Sequence, residues 1–135
     1  MKKMHSFTLI LLLLISCKPV QKTTDEVRSF QINFGHTGGF TNVTVEFLIR
    51  ENREVFRIEN SNLIRIGKIG IKEMKEIKKM IESADFKNLK SEPPGNINYF
   101  IKVQTREFEN TVSWTPPSLN STLNELYMKL SESVK

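Results

Sequence analysis

"IKEMKEIKKMIESA", Ile71 to Ala84, is the stretch on which the fold turns. Ile71, Met74, Ile77, Ile81 and Ala84 recur at intervals of three and four residues, with Met80 at the edge of the same stripe. Lys72, Glu73, Lys75, Glu76, Lys78, Lys79 and Glu82 fill the other side. That spacing lines one face of a helix and predicts a single amphipathic helix here. Neighbouring Glu–Lys pairs contribute only about 0.2 to 0.5 kcal/mol each, so the charged side reads as solvated surface and not as a site.

On either side of this segment the apolar period is two. Upstream, Phe30, Ile32 and Phe34 alternate with polar neighbours, as do Val43, Val45, Phe47 and Ile49. Between them lies "GHTGGFTN", so two half-buried strands joined by a glycine-rich reversal are expected. Glu51 to Glu54 makes a polar turn and Val55 to Ile58 begins a third strand; Leu63, Ile64 and Ile66 continue or follow it. Downstream, the two prolines and glycine of "SEPPGN", Ser91 to Asn96, permit neither helix nor central strand. Strands resume with Ile97, Tyr99, Ile101 and Val103 on one face, a turn at Arg106 to Glu109, and Val112 with Trp114 on the next. After Pro116-Pro117 the helical period returns through Leu119, Leu123, Leu126, Leu130 and Val134. Thr122 and Glu125 have capping-box spacing, which places the start of the regular helix a turn after Ser118. The order strands, helix, strands, helix predicts an α+β domain: an antiparallel sheet of about four to five strands with two helices packed on one face.

The amino terminus follows another logic. Lys2 and Lys3 precede an apolar run from Phe7 to Ile15, interrupted only by Thr8, and Ser16 stands before Cys17. This is the order of a secretory signal, and the run is short of the roughly 20 apolar residues a membrane-spanning helix needs. Leu14-Ile15-Ser16-Cys17 resembles the lipobox of bacterial lipoproteins, which implies cleavage before Cys17 and acylation there. Each buried CH₂ contributes only about 0.8 kcal/mol, so stable attachment takes more than one acyl chain. The expected organisation is a leader over residues 1–16, an acylated polar tether over 17–27, and one α+β domain over 28–135. Cys17 is then the lipid anchor, and the address is the bacterial cell envelope, at the periplasmic face or the cell surface.

Cleavage leaves 119 residues without a free thiol and lowers the net charge from +5 to +3. That length suffices for one core without a disulfide or metal. No block of like charges appears, which argues against nucleic acid as a partner. His36 is the one imidazole left after cleavage, and no ligand set has zinc-site spacing. No nucleophile has an adjacent base, so no catalytic residue, metal or cofactor is expected and the chain is not read as an enzyme. Gly38 and Gly39 lack the pattern and the following helix of a phosphate loop; they supply positive φ in a hairpin. His36 stands in the predicted reversal, as a titratable loop group or an exposed turn residue. Trp114 reads as core, and Phe100, on the strand face opposite Tyr99, Ile101 and Val103, is a candidate contact for a partner.

"TGGFTNVTVEF" at Thr37 to Phe47, "ADFKNL" at Ala84 to Leu89, and "NYFIKVQ" leading to "NTVSW" before a leucine-bearing helix together resemble the emfourin family. Its members are small protein inhibitors of thermolysin-like metallopeptidases, and the resemblance spans roughly Phe30 to Leu130. It implies an extracytoplasmic metallopeptidase as the partner and marks Gly38, Gly39 and Phe40 as family positions. The segment Glu51 to Gly70 is longer than the family needs. The candidate partner-binding residues are therefore Gly38, Gly39, Phe40, His36 and Phe100. Two other readings stand beside inhibition: an envelope scaffold or accessory subunit, and a small-ligand or glycan binder around Phe100 and Trp114.

Overall fold

The computed structural model describes residues 29–135; Cys17, the leader and the tether to residue 27 lie outside the described residues. The chain forms β1 (Gln31–Gly38), β2 (Val45–Arg50), β3 (Glu54–Glu59), β4 (Asn62–Lys68), α1 (Ile71–Ser83), a short 3₁₀ turn (Phe86–Asn88), β5 (Ile97–Gln104), β6 (Glu109–Trp114) and α2 (Ser121–Glu132). The strands build one antiparallel sheet in the order β4-β3-β2-β1-β5-β6.

The class is α+β, but the sheet has six strands where four to five were expected. The extra strand is β4, carrying Leu63, Ile64 and Ile66. Asn60 and Ser61 both adopt positive φ (49° and 66°) between the paired residues Glu59 and Asn62. Two such residues in a row make the tight primed turn that suits a twisted hairpin, so of the two readings, continuing the third strand or following it, the second holds.

Alternation assigns the two sides of the sheet. Ile32 and Phe34 of β1, Ile49 of β2, Val55 of β3, Ile101 and Val103 of β5, and Val112 and Trp114 of β6 share one face and are buried against Met74, Ile77 and Ile81 of α1 and Leu123, Leu126 and Leu130 of α2. The helices are joined by the Lys129 Nζ to Glu76 Oε2 ion pair at 2.9 Å and by Ser133 Oγ donating to Glu73 Oε1 at 2.6 Å. Lys129 holds the Glu76 carboxyl below its ordinary range. Ile71 was expected in the buried stripe, yet it opens the helix and is largely exposed. Below α1, Asp85 takes a left-handed conformation (φ 50°) that ends the helix and turns Phe86 into the core. Asn110 Nδ2 then donates to the Phe86 and Leu89 carbonyls at 2.8 and 2.9 Å, pinning this turn to β6.

The other side of the sheet carries Gln31, Asn33, Glu46, Lys102 and Thr111. It also buries Leu48 and Phe56, cross-strand neighbours, under the Arg50 guanidinium 4.7 Å from the Phe56 ring centre. Gly35 lies inside β1 and not in the reversal. An added Cβ there would meet the Val45 carbonyl oxygen at 1.9 Å, so the strand tolerates no side chain at this crossing.

Candidate functional site

Because the sheet is antiparallel, β1 ends, β5 begins and β6 ends on the same side: Gly38 pairs with Ile97, and Tyr99 with Trp114. Three connections therefore meet at one end, here called apical: residues 39–44, residues 93–96 and residues 115–120. They are tied to one another. Gly39 N donates to the Asn96 carbonyl at 2.9 Å. Asn98 both accepts from Gly95 N and donates to Gly95 O at 2.9 Å, and Thr115 Oγ1 reaches Asn98 Oδ1 at 3.4 Å.

The connection into α2 is held hardest. Ser118 is buried; its N donates to Asn124 Oδ1 at 2.9 Å and its carbonyl accepts from Asn124 Nδ2 at 3.0 Å. Its hydroxyl donates to Glu92 Oε1 at 2.5 Å and accepts from Asn120 N at 3.0 Å. The same Glu92 oxygen accepts from Leu119 N at 3.0 Å. Every polar group of Ser118 is satisfied, yet the next side chain, Leu119, is 95% exposed.

Leu119 was expected in the apolar stripe of α2 and is instead outside the helix. Asn120 is the N-cap, its side chain accepting from Leu123 N at 3.2 Å, so the Thr122–Glu125 capping box is not used. An apolar residue before the cap normally packs on the fourth helical residue. That residue is Asn124, which is engaged with Ser118, and Leu119 is left free.

Phe40 is likewise fully exposed at the tip of the β1–β2 reversal, with Val43 and Ile97 partly exposed nearby. Val43 was expected inside the second strand, which starts at Val45. Gly38 and Gly39 have φ of 101° and 80°, as the hairpin reading requires. None of residues 37–44, 93–98 and 115–122 is Asp, Glu, Lys or Arg, in a chain of which 26% is charged. Charge depletion around exposed aromatic and aliphatic side chains is the compositional mark of an interface core.

Beneath this end lies an aromatic cluster. Tyr99 and Tyr127 stack with centres 4.4 Å apart and Trp114 stands edge-on to both. Burial and the neighbouring Tyr99 push the Tyr127 phenol up to about 12. Trp114 is fully buried, and its indole N–H finds no hydrogen-bond partner among the described residues. It offers no surface to a sugar. Beside the cluster, Tyr99, Pro116, Pro117, Asn124, Tyr127 and Met128 line a shallow recess of about 420 Å³.

The five candidate residues are not all brought together. Gly38, Gly39 and Phe40 are apical. His36 is not in a turn: it lies inside β1, half-buried, on the helix side with its ring 5.8 Å from Tyr99. Phe100 is on the opposite side of the sheet, across from the side-chain-free Gly35 and half-buried. Among the described residues no group of three or more His, Cys, Asp and Glu could hold a metal ion, and no helix is long and apolar enough to cross a membrane. No protein-family model matches the chain, and no curated protein is significantly similar to it.

Proposed function

We propose that this domain, held at a bacterial membrane by acyl chains on Cys17, binds another protein through its apical end, and that the partner is an extracytoplasmic thermolysin-like metallopeptidase which it inhibits. The observation that carries the reading is a charge-poor surface, its one carboxylate, Glu92, spent on Ser118 Oγ and Leu119 N, on which Phe40 and Leu119 project fully into solvent from hydrogen-bonded connections. An anchor residue presented by a stiff loop loses little conformational freedom on binding, which is how a small inhibitor without catalytic groups reaches useful affinity. Placement agrees. β1 runs about 23 Å from Gln31 to Gly38, at roughly 3.3 Å per residue, so a tether ahead of residue 28 joins the domain at the end away from Phe40 and Leu119.

The test is enzymatic. The domain from residue 28 onward is expected to slow cleavage of a peptide substrate by a thermolysin-like metallopeptidase while staying intact itself. Leu119→Asp and Phe40→Asp are each expected to weaken inhibition about tenfold or more, the scale of an interface hot spot. Unchanged turnover across several such peptidases would overturn the inhibitor reading.

A further inference from the structure

The two edges of the sheet are treated differently. Along β6, the segment before β5 covers the edge: Glu92 N donates to the Ser113 carbonyl at 2.8 Å and Ser113 N donates to Ser91 Oγ at 3.0 Å. Along β4, nothing among the described residues pairs with the outer side. Two helices about 10 Å apart cover roughly 20 Å of sheet, whereas six strands spaced about 4.8 Å span more than that. β4 overhangs, and no residue of it joins the core. Leu63, Ile64 and Ile66 are 46%, 39% and 42% exposed, on both sides of the strand. Uncovered apolar edges of this kind are strand-pairing templates.

We propose that β4 pairs with β4 of a second copy of the chain, antiparallel and centred on Ile64. The hairpin turn sets which groups point outward. Its closing pair, Glu59 with Asn62, is hydrogen-bonded, and ladder pairs alternate from there as far as Phe56 with Arg65, beyond which a bulge shifts the register. Ile64 thus spends its backbone groups on Arg57, while the N–H and C=O of Leu63 and Arg65 face the free edge. A two-fold axis through Ile64 sets Leu63 of each copy against Arg65 of the other, and these are the residues with free donors and acceptors. Both strands gain a matched set of bonds, and Ile64 meets Ile64 at the close, non-hydrogen-bonded position. Centring on Arg65 would oppose like charges directly, which is destabilising. In the Ile64 register each guanidinium faces a leucine and stays with its own Glu54, 2.9 Å away. The pairing uses no apical residue and holds whether or not the domain inhibits a peptidase.

The experiment uses the full-length chain in the membranes of producing cells, under mild oxidation. Facing residues at a non-hydrogen-bonded position have Cα atoms about 4.5 Å apart, within disulfide reach. Ile64→Cys is therefore expected to give a disulfide-linked homodimer. Leu63→Cys, out of register with itself, and Thr111→Cys on the covered edge are expected to give little more than the parent chain. Ile64 lies outside the core, so the variant keeps its fold; circular dichroism of purified protein checks this. Absence of the Ile64→Cys dimer, equal yields from the control positions, or capture of a different protein at residue 64 would each overturn the proposal.

Discussion

Packing accounts for Gly38 and Gly39, whose positive φ closes the reversal, but it asks nothing of Phe40, which touches solvent on all sides. The other pieces that carry the family resemblance have structural employment. Asp85 ends α1 and Phe86 plugs the core; Ile101, Val103, Val112 and Trp114 are buried. Phe40 is the most exposed residue of those stretches and has no packing role, and Leu119 matches it in exposure from the connection after β6. Tyr127 supplies a separate test at this scale. Its folded phenol titrates near 12, above an unfolded value of about 10, because burial disfavours the phenolate. The neutral form is the one that fits, so its contribution is complete below pH 10 and is lost as pH rises toward 12. Urea denaturation of the domain from residue 28 at stepped pH should show stability falling across that interval, with Tyr127→Phe falling less. Parallel curves for the two proteins would mean that the Tyr99–Tyr127 stack tolerates the phenolate.

Among the elements, α2 shows how a cap overrides a pattern. The apolar period runs unbroken from Leu119 to Leu130, yet Asn120 breaks the helix off by accepting from Leu123 N. Asn120→Ala is expected to cost about 1 kcal/mol in urea denaturation, while Glu125→Ala stays within about 0.5 kcal/mol, the range of a surface change. Equal losses would restore the Thr122–Glu125 box. The helix at Ile71–Ser83 and strands β1, β2, β3, β5 and β6 follow from periodicity, because each must turn one apolar side to a common core. β4 was blurred because it contributes nothing to that core, so no face selection disciplines its pattern. In sequence a glycine demanded by a close backbone crossing, as Gly35 is, looks like one demanded by φ, and this hides that Gly35 and His36 both belong to β1.

For the molecule as a whole, charge is partitioned by position. Lysines and glutamates crowd the outer face of α1, the Lys129–Glu76 pair bridges α1 to α2, and Arg–Glu pairs line β3 and β4, while residues 37–44, 93–98 and 115–122 carry no charged side chain. That partition was hidden in the sequence, since residues 37–44, 93–98 and 115–122 become one surface only when the strands align; Leu119 was hidden with it. It also sets the salt response expected of the proposed binding. A surface whose one nearby carboxylate, Glu92, is already bonded to Ser118 Oγ and Leu119 N offers little Coulombic attraction for ions to screen, although the screening length falls from about 10 Å at 0.1 M to about 3 Å at 1 M. Apical binding to a metallopeptidase should thus change by less than about threefold in inhibition constant across that range, provided the peptidase's own activity is normalised at each salt concentration. A tenfold weakening or more would be the signature of charge-steered association, and would move the contact surface away from Phe40 and Leu119 to the charged flanks of the helices or of the β3–β4 hairpin.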